Sequence, residues 1–305
     1  MRRFLSVVGL ALTLAGSVAA PAMAQGLEGF DPAFSDTILS QMGYTQLDIN
    51  VGPDGVVAPS TLEAGYYHVT LSVDEPSSVG YLDIVQPPAG LDAATELAEM
   101  MDAGSNDLVH EGWIFNGGTN TPNPGEAASF VINLAPGEYK IAASYYGLDE
   151  ASEEVMKLVP LTVTASTATD AVAEPEAGAT LEMTDDLTYV VSSEPVPAGP
   201  QVWKIANTGS HHAHHMVMVS IPEGVTADQI VSEFTSMMQG TPTAEPPLMA
   251  QFSWVAYAAL QSGGQTTWAE FDLDPGTYAV ICYIMDPMTE QPHVLSGMVT
   301  TFTVA

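Results

Sequence analysis

Short apolar runs, rich in β-branched and aromatic residues, alternate with turn-forming residues along most of the chain. Residues 66–73, 202–207, 216–219 and 278–282 are typical, and most such runs are bounded by Gly, Pro, Asn or Asp. Runs of this length with such boundaries predict β-strands. About seven of them fall within each stretch of roughly 120 residues, a density that indicates a β-sandwich.

The same pattern occurs twice, at a spacing of about 135 residues. Residues 130–139, FVINLAPGEY, correspond to residues 271–278, FDLDPGTY, and a Trp begins a matching strand in each half at Trp113 and Trp254. Each half also carries one short helical pattern, over 91–101 and over 226–238. We therefore predict an all-β protein of two tandem Greek-key β-sandwiches, each with its own sheets and one inserted helix.

Composition sets the limits of these two units. Residues 165–179, ASTATDAVAEPEAGA, are small and acidic and lack apolar periodicity, as expected of a linker. The predicted domains are 42–166 and 178–305, joined by 167–177.

The first 24 residues are typical of a secretory signal peptide. A basic start is followed by an apolar run over 4–18 and by Ala22-Met23-Ala24, with cleavage expected between Ala24 and Gln25. No later run reaches about 18 apolar residues, so no membrane span is predicted. The expected location is periplasmic or secreted.

The charge balance excludes several partners. The chain has 5 Lys and Arg against 37 Asp and Glu, a formal net charge of −32. Such a chain cannot bind a phosphate backbone by releasing counterions, which excludes nucleic acid. It suits a basic protein partner instead.

The residues with metal chemistry are concentrated in the second half. Five of the seven His lie there, together with the only Cys. Four of these His occupy residues 211–215, HHAHH, and Cys282, His293 and Met298 follow in that order. Two imidazoles, a thiolate and a weak axial thioether form the ligand set of a blue-copper site.

Residues 179–305 resemble the cupredoxins, the plastocyanin- and azurin-like blue-copper proteins. The resemblance rests on Asn207-x-Gly209 before the His cluster, on Pro275-Gly-x-Tyr278-x-x-x-Cys282, and on His293 with Met298 in HVLSGM. It implies one copper held by a His of the cluster, Cys282, His293 and Met298. The first half resembles a degenerate copy without ligands, because Ala143 stands at the position of Cys282.

The sequence leaves two features of the site open. Alternation with Val217 and Val219 favours His215 as the inward residue, whereas the internal repeat favours His214, and family spacing also allows His212. We choose His214, with His215 second. Ten residues separate Cys282 from His293, more than in well-known cupredoxins, so a site of two His and one Met, with Cys282 only packing, is the alternative.

The function expected from this resemblance is electron transfer or copper handling, with a basic redox partner such as a cytochrome. We expect no enzymatic activity, because multicopper oxidases need several His-x-His pairs and His212-x-His214 is the only one here. The alternative is a metal-free tandem β-sandwich that acts as a binding or scaffold module.

Overall fold

The computed structural model describes residues 37–52, 55–73, 77–120, 127–147, 155–168, 172–240 and 246–305. The predicted signal peptide and its cleavage site lie outside these residues. Within them the protein is built mainly of β-strands, which confirms the all-β prediction.

The described residues of the first half form two helices and nine strands. They are α1 (Ile38–Gln41), β1 (Thr45–Gly52), β2 (Gly55–Val57), β3 (Thr61–Glu63), β4 (Gly65–Val73), β5 (Ser77–Gln86), α2 (Ala93–Asn106), β6 (Ile114–Asn120), β7 (Ala127–Leu134), β8 (Gly137–Gly147) and β9 (Val155–Thr164).

In the second half, the part of the chain that the structure describes forms one α-helix, two short 3-10 helices and ten strands. They are β10 (Ala179–Met183), β11 (Tyr189–Val191), β12 (Gly199–Asn207), β13 (His214–Ile221), α3 (Ala227–Met238), a 3-10 helix (Leu248–Gln251), β14 (Ser253–Gln261), β15 (Thr266–Leu273), β16 (Gly276–Ile281), β17 (Met285–Asp286), β18 (Gln291–Pro292), a 3-10 helix (His293–Ser296) and β19 (Val299–Val304).

The described strands form two large sheets. One has eight strands in the order β11-β10-β12-β15-β7-β4-β1-β2. The other has nine in the order β19-β16-β13-β14-β6-β5-β8-β9-β3, and β17 and β18 form a separate hairpin. The strand order of one half recurs in the other: β2-β1-β4-β7 corresponds to β11-β10-β12-β15, and β9-β8-β5-β6 to β19-β16-β13-β14.

The expectation that each half keeps its own sheets is wrong. β7 pairs with β15 through Val131 and Trp268, and β6 pairs with β14 through Asn116 and Gln261. Both sheets therefore run through both halves. The sequence repeat describes strands within a half and contains no signal for which strand edges meet, since any edge offers unpaired N–H and C=O groups. The domain limits 42–166 and 178–305 and the linker 167–177 stay a prediction.

Apolar side chains fill the space between the two sheets. In the second half the fully buried Trp203 of the first sheet lies 5.9 Å, between ring centroids, from Phe271 and 5.6 Å from Phe302 of the other sheet. Phe130 and Ile141 belong to the matching cluster of the first half. This packing of one sheet on the other makes the ends of the strands a fixed frame for the loops that follow them.

The two longer helices match the inserted helices predicted from the sequence. α3 begins with the expected capping box, in which Thr226 and Gln229 satisfy each other's backbone N–H groups. It packs on the outer face of the second sheet, against Val217 and Ile281. β13 is thus covered on both faces. None of the helices in the described ranges is long and apolar enough to cross a lipid bilayer.

Candidate metal centre

Two adjacent histidines at the start of β13 belong to opposite faces of the sheet. His214 alternates with Met216, which lies in the core between the sheets, and His215 alternates with Val217, which packs under α3. Since both faces are buried, His214 is 0% exposed and His215 is 4% exposed. The apolar pattern on its own could not separate the two.

A small hairpin takes up the long spacer between Cys282 and His293. The chain leaves the sheet after Cys282, runs out along Met285–Asp286 and returns along Gln291–Pro292. At the turn the Asp286 carboxylate accepts the N–H of Met288 at 2.7 Å. The residues of the spacer therefore project from the sheet as a hairpin, and the two ends of the spacer stay close together.

Four backbone hydrogen bonds close the loop that carries the sequence-predicted ligands. The N–H of His293 donates to Ile284 O at 2.8 Å, and the N–H of Val294 donates to Cys282 O at 2.9 Å. The N–H of Met298 donates to His293 O at 3.0 Å, and the N–H of Cys282 donates to Met298 O at 3.1 Å. His293 and Met298 are held beside Cys282 by the main chain.

The donor atoms of three predicted site residues converge. His214 Nδ1 lies 3.2 Å from His293 Nδ1. Cys282 Sγ lies 3.6 Å from His293 Nδ1 and 4.0 Å from His214 Nδ1. All three side chains are buried. Met298 is 0% exposed and belongs to the same core cluster as Cys282.

The size of this triangle fits a metal ion. Metal bonds of about 2.05 Å to nitrogen and about 2.3 Å to sulfur, the values for zinc, can span all three separations. The angle at the ion would be roughly 103° between the two nitrogens, roughly 112° between Cys282 and His293, and roughly 134° between Cys282 and His214. An ion bonded to all three donor atoms at these lengths would therefore fit between them. The chemistry of the donor set, two imidazoles and one sulfur, also fits copper.

Burial sets the protonation of these groups. Desolvation, followed by the nearby His293 and His212, lowers the pKa of His214 to about 3, and desolvation with His212 lowers the pKa of His293 to about 4. Both imidazoles are neutral at pH 7 and keep a lone pair for a cation. Burial raises the pKa of the Cys282 thiol to about 12, so that a bound cation is needed to release its proton.

The loop before His214 is held by two polar side chains. Asn207 Nδ2 donates to the carbonyls of His212 and Gln261, both at 2.8 Å. The Asp185 carboxylate accepts the N–H of Ser210 at 2.8 Å. Gly209 allows this close approach, because a Cβ there would lie 2.4 Å from Asp185 Oδ1. The Asn-x-Gly signal of the sequence is therefore an anchor for the histidine loop.

The other histidines of the cluster lie in different surroundings. His215 Nε2 accepts the N–H of Tyr283 at 2.9 Å, and its ring packs against Tyr257, so this imidazole is engaged on the far face of the sheet. His211 is exposed and its Nδ1 lies 3.0 Å from Asp185. The ring of His212 is half-buried, beside those of His214 and His293.

The matching place in the first half is filled by an apolar side chain. Gly80 and Ala143 occupy the positions of His214 and Cys282 on the paired strands β5 and β8. A Cβ at Gly80 would lie 2.3 Å from Val73 Cγ2. No group of three or more potential metal-ligating His, Cys, Asp or Glu side chains comes together among the described residues of the first half.

Sequence reasoning missed one contact of the ligand loop and one contact of the histidine strand β13. Asp107, at the end of α2 in the first half, accepts the N–H of Met285 through its carbonyl at 2.9 Å. Tyr189 donates its hydroxyl to His215 O under the site. Both contacts are long-range, and neither residue belongs to a motif that would have marked it.

The protein is similar to solved structures, and neither a family model nor a curated sequence matches it. A dithionite-reduced auracyanin from the photosynthetic bacterium Roseiflexus castenholzii is 22% identical, with a TM-score of 0.28 over 41% of this chain and 94% of its own. A copper-containing nitrite reductase from Thermus scotoductus is 11% identical, with a TM-score of 0.22 over 86% of this chain and 61% of its own. A laccase-like multicopper oxidase from an Ochrobactrum species is 12% identical, with a TM-score of 0.19 over 85% and 66%.

The expectation that the protein is not an enzyme is contradicted by these matches. The nitrite reductase and the laccase-like oxidase are enzymes, and they match along most of this chain. The His-x-His count excluded one arrangement of several coppers and did not exclude enzymes as a class. The TM-scores of these three proteins are all below 0.5.

Proposed function

We propose that this cupredoxin-like chain is an exported copper-binding protein that works in electron transfer or copper handling. The observation that carries the proposal is the convergence of His214, Cys282 and His293, whose donor atoms lie 3.2–4.0 Å apart. They come from two places in the sequence, and the fold brings them together in the core.

Copper is the ion that this donor set favours. A thiolate is a soft ligand that suits Cu(I), and imidazole suits copper in both oxidation states. Met298, buried five residues beyond His293, would supply a weaker thioether ligand. When bound, copper supplies one-electron redox chemistry.

The chain's own contribution is rigidity. His214 starts a strand that is covered on both faces, and the main chain around Cys282 and His293 is closed by four hydrogen bonds. Donors fixed in this way keep their separations when the charge of the ion changes. A site that does not rearrange suits electron transfer, because little energy is spent on reorganisation.

The partner of such a carrier would be a basic redox protein, such as a cytochrome. The proposal rests on the net charge of −32. Complementary charge speeds the encounter of two proteins more than it strengthens their complex. Association that slows as salt is added supports this partner class, and an encounter rate that is insensitive to salt contradicts it.

The test of the copper site uses the full chain without its signal peptide. Copper(II) is added to the folded protein, unbound metal is removed, and the copper content and visible spectrum are measured. We expect one copper per chain and an intense charge-transfer band. Cys282→Ser should abolish the band, and His293→Ala should remove most of the copper.

A matched control is His110→Ala, since His110 is a half-buried His of the first half that pairs with Asp102 and belongs to no group of metal-ligating side chains among the described residues. It should leave both measurements unchanged. A parent protein that retains no copper contradicts the proposal. A parent that binds copper with the same spectrum as Cys282→Ser contradicts the role of the thiolate.

A further inference from the structure

The candidate centre is closed to solvent by its own side chains. His214 and Cys282 are 0% exposed, and His293 is 1% exposed. An ion that arrives after folding therefore needs a donor that water still reaches. Without one, it would lose its hydration before it gained a ligand, at a high cost in a medium of low dielectric constant.

His212 is placed where such a donor is needed. Its side chain is only half-buried, and its ring centroid lies 5.5 Å from that of His293 and 6.1 Å from that of His214. It thus adjoins both buried imidazoles. Its ring nitrogens form no hydrogen bond to the described part of the chain, so a lone pair remains free for a cation.

The main chain fixes His212 without using its ring. Asn207 Nδ2 donates to its carbonyl at 2.8 Å, and Asp185 accepts its N–H at 3.4 Å. His211 offers the contrast. It lies on the same loop and its side chain is 77% exposed, but its Nδ1 lies 3.0 Å from the carboxylate of Asp185.

We propose that His212 is the uptake ligand of the site: it takes copper from solvent and passes it to His214, Cys282 and His293. This inference rests on the proposed copper function. As the Cys282 sulfur and the buried imidazoles bind, the bond to His212 breaks and the thiol proton leaves to water. The oxidation state of the ion does not change, and the ion keeps protein ligands throughout the transfer.

The test compares rates of copper uptake. Metal-free parent, His212→Phe and His211→Phe are each mixed with a copper(II) salt, and the charge-transfer band is followed by stopped flow. Phe keeps the ring contacts of His212 and removes its donor. We expect His212→Phe to take up copper at least 10-fold more slowly than the parent, and His211→Phe to stay within 2-fold of it.

The end points distinguish an uptake ligand from a permanent one. With His212→Phe, the final copper content and final spectrum should equal those of the parent. Equal uptake rates overturn the inference, and so does an altered final spectrum, because His212 would then be a resident ligand. A parent that takes up no copper overturns the proposed function itself. His212→Gln repeats the comparison if the Phe variant does not fold.

Discussion

At the scale of single residues, the site depends on two neighbouring imidazoles that do different work. His214 Nδ1 lies among the converging donor atoms, whereas His215 Nε2 accepts a hydrogen bond from the N–H of Tyr283. One residue of offset along a strand moves a side chain to the opposite face of the sheet. The two positions are therefore not interchangeable, although both are buried.

Substitution separates the two roles. We expect His214→Ala to lower copper affinity more than about 100-fold, beyond the effect typical of residues that only support a ligand. His215→Phe should keep one copper per chain, and the Tyr283 N–H left without a partner should lower the free energy of unfolding by about 1–3 kcal/mol. Copper titration and urea unfolding of both variants measure this. Loss of copper from His215→Phe alone would reverse the assignment.

The buried histidines also make the metal-free protein sensitive to acid. Desolvation lowers the pKa of His214 and His215 to about 3 and of His293 to about 4. Between these values and about 6.5 the unfolded chain binds more protons than the folded one, so stability falls as the pH falls. Each group contributes about 1.4 kcal/mol per pH unit.

Urea unfolding at pH 7, 6 and 5 measures this effect. We expect a loss of more than about 1 kcal/mol per pH unit, after allowance for groups that titrate in the opposite sense. His215→Phe should show a shallower slope, because one of the three imidazoles is gone. Equal stability at pH 7 and pH 5 would contradict the prediction.

At the scale of elements, the ligand loop depends on a helix from the other half of the chain. Asp107 caps the C-terminus of α2 and has φ 52°, and its carbonyl accepts the N–H of Met285, the first residue of the β17–β18 hairpin. Its side chain is 8% exposed, and Oδ2 has no hydrogen-bond partner among the described residues. Burial raises its pKa to about 7.

Asp107→Asn should stabilise the protein more at pH 8 than at pH 5. The carboxyl has a higher pKa in the folded chain than in the unfolded one, so its contribution to stability is lost as the pH rises through 7. The loss begins near the unfolded pKa of about 4 and is complete near 7, so the difference between pH 5 and pH 8 is about 2.5 kcal/mol. Asn also tolerates the left-handed backbone. Melting curves of parent and variant at both pH values test this, and an equal shift at both would contradict it.

The sequence predicts the individual helices, strands and ligands near the site better than it predicts the contacts between them. The capping box of α3, the order Cys282, His293 and Met298, and the anchor at Asn207 are local patterns, and local patterns are legible in a sequence. The hairpin at 285–292 was hidden, because a count of residues gives the length of a loop and not its path. The contact of Asp107 with Met285 was hidden because the two residues lie far apart in the chain.

At the scale of the whole molecule, the two halves share more than a linker. Both sheets continue across the boundary, and one core cluster contains Trp113 and Phe115 of the first half together with Trp203 and Cys282 of the second. The energy of the contact between the halves is therefore part of the energy of each core.

We expect the metal-free chain to unfold in one cooperative transition. Calorimetry of the full chain should give a single peak. The isolated segment 178–305 should melt at a lower temperature, since it loses Trp113 and Phe115 and exposes the edges of β14 and β15. Two separate peaks, one of them at the melting temperature of the isolated segment, would contradict this.

The two strand pairings between the halves, β7 with β15 and β6 with β14, indicate how a duplicated chain of this kind can evolve. Equivalent strands meet antiparallel at both junctions, which is the arrangement of a self-complementary contact in a twofold homodimer. In a homodimer every substitution appears in both subunits, so neither subunit can lose a site alone. In a fused gene each copy mutates independently. In this chain the first half has Val73 packed against Gly80, whereas the second half has the candidate metal ligands His214, Cys282 and His293 at the equivalent position.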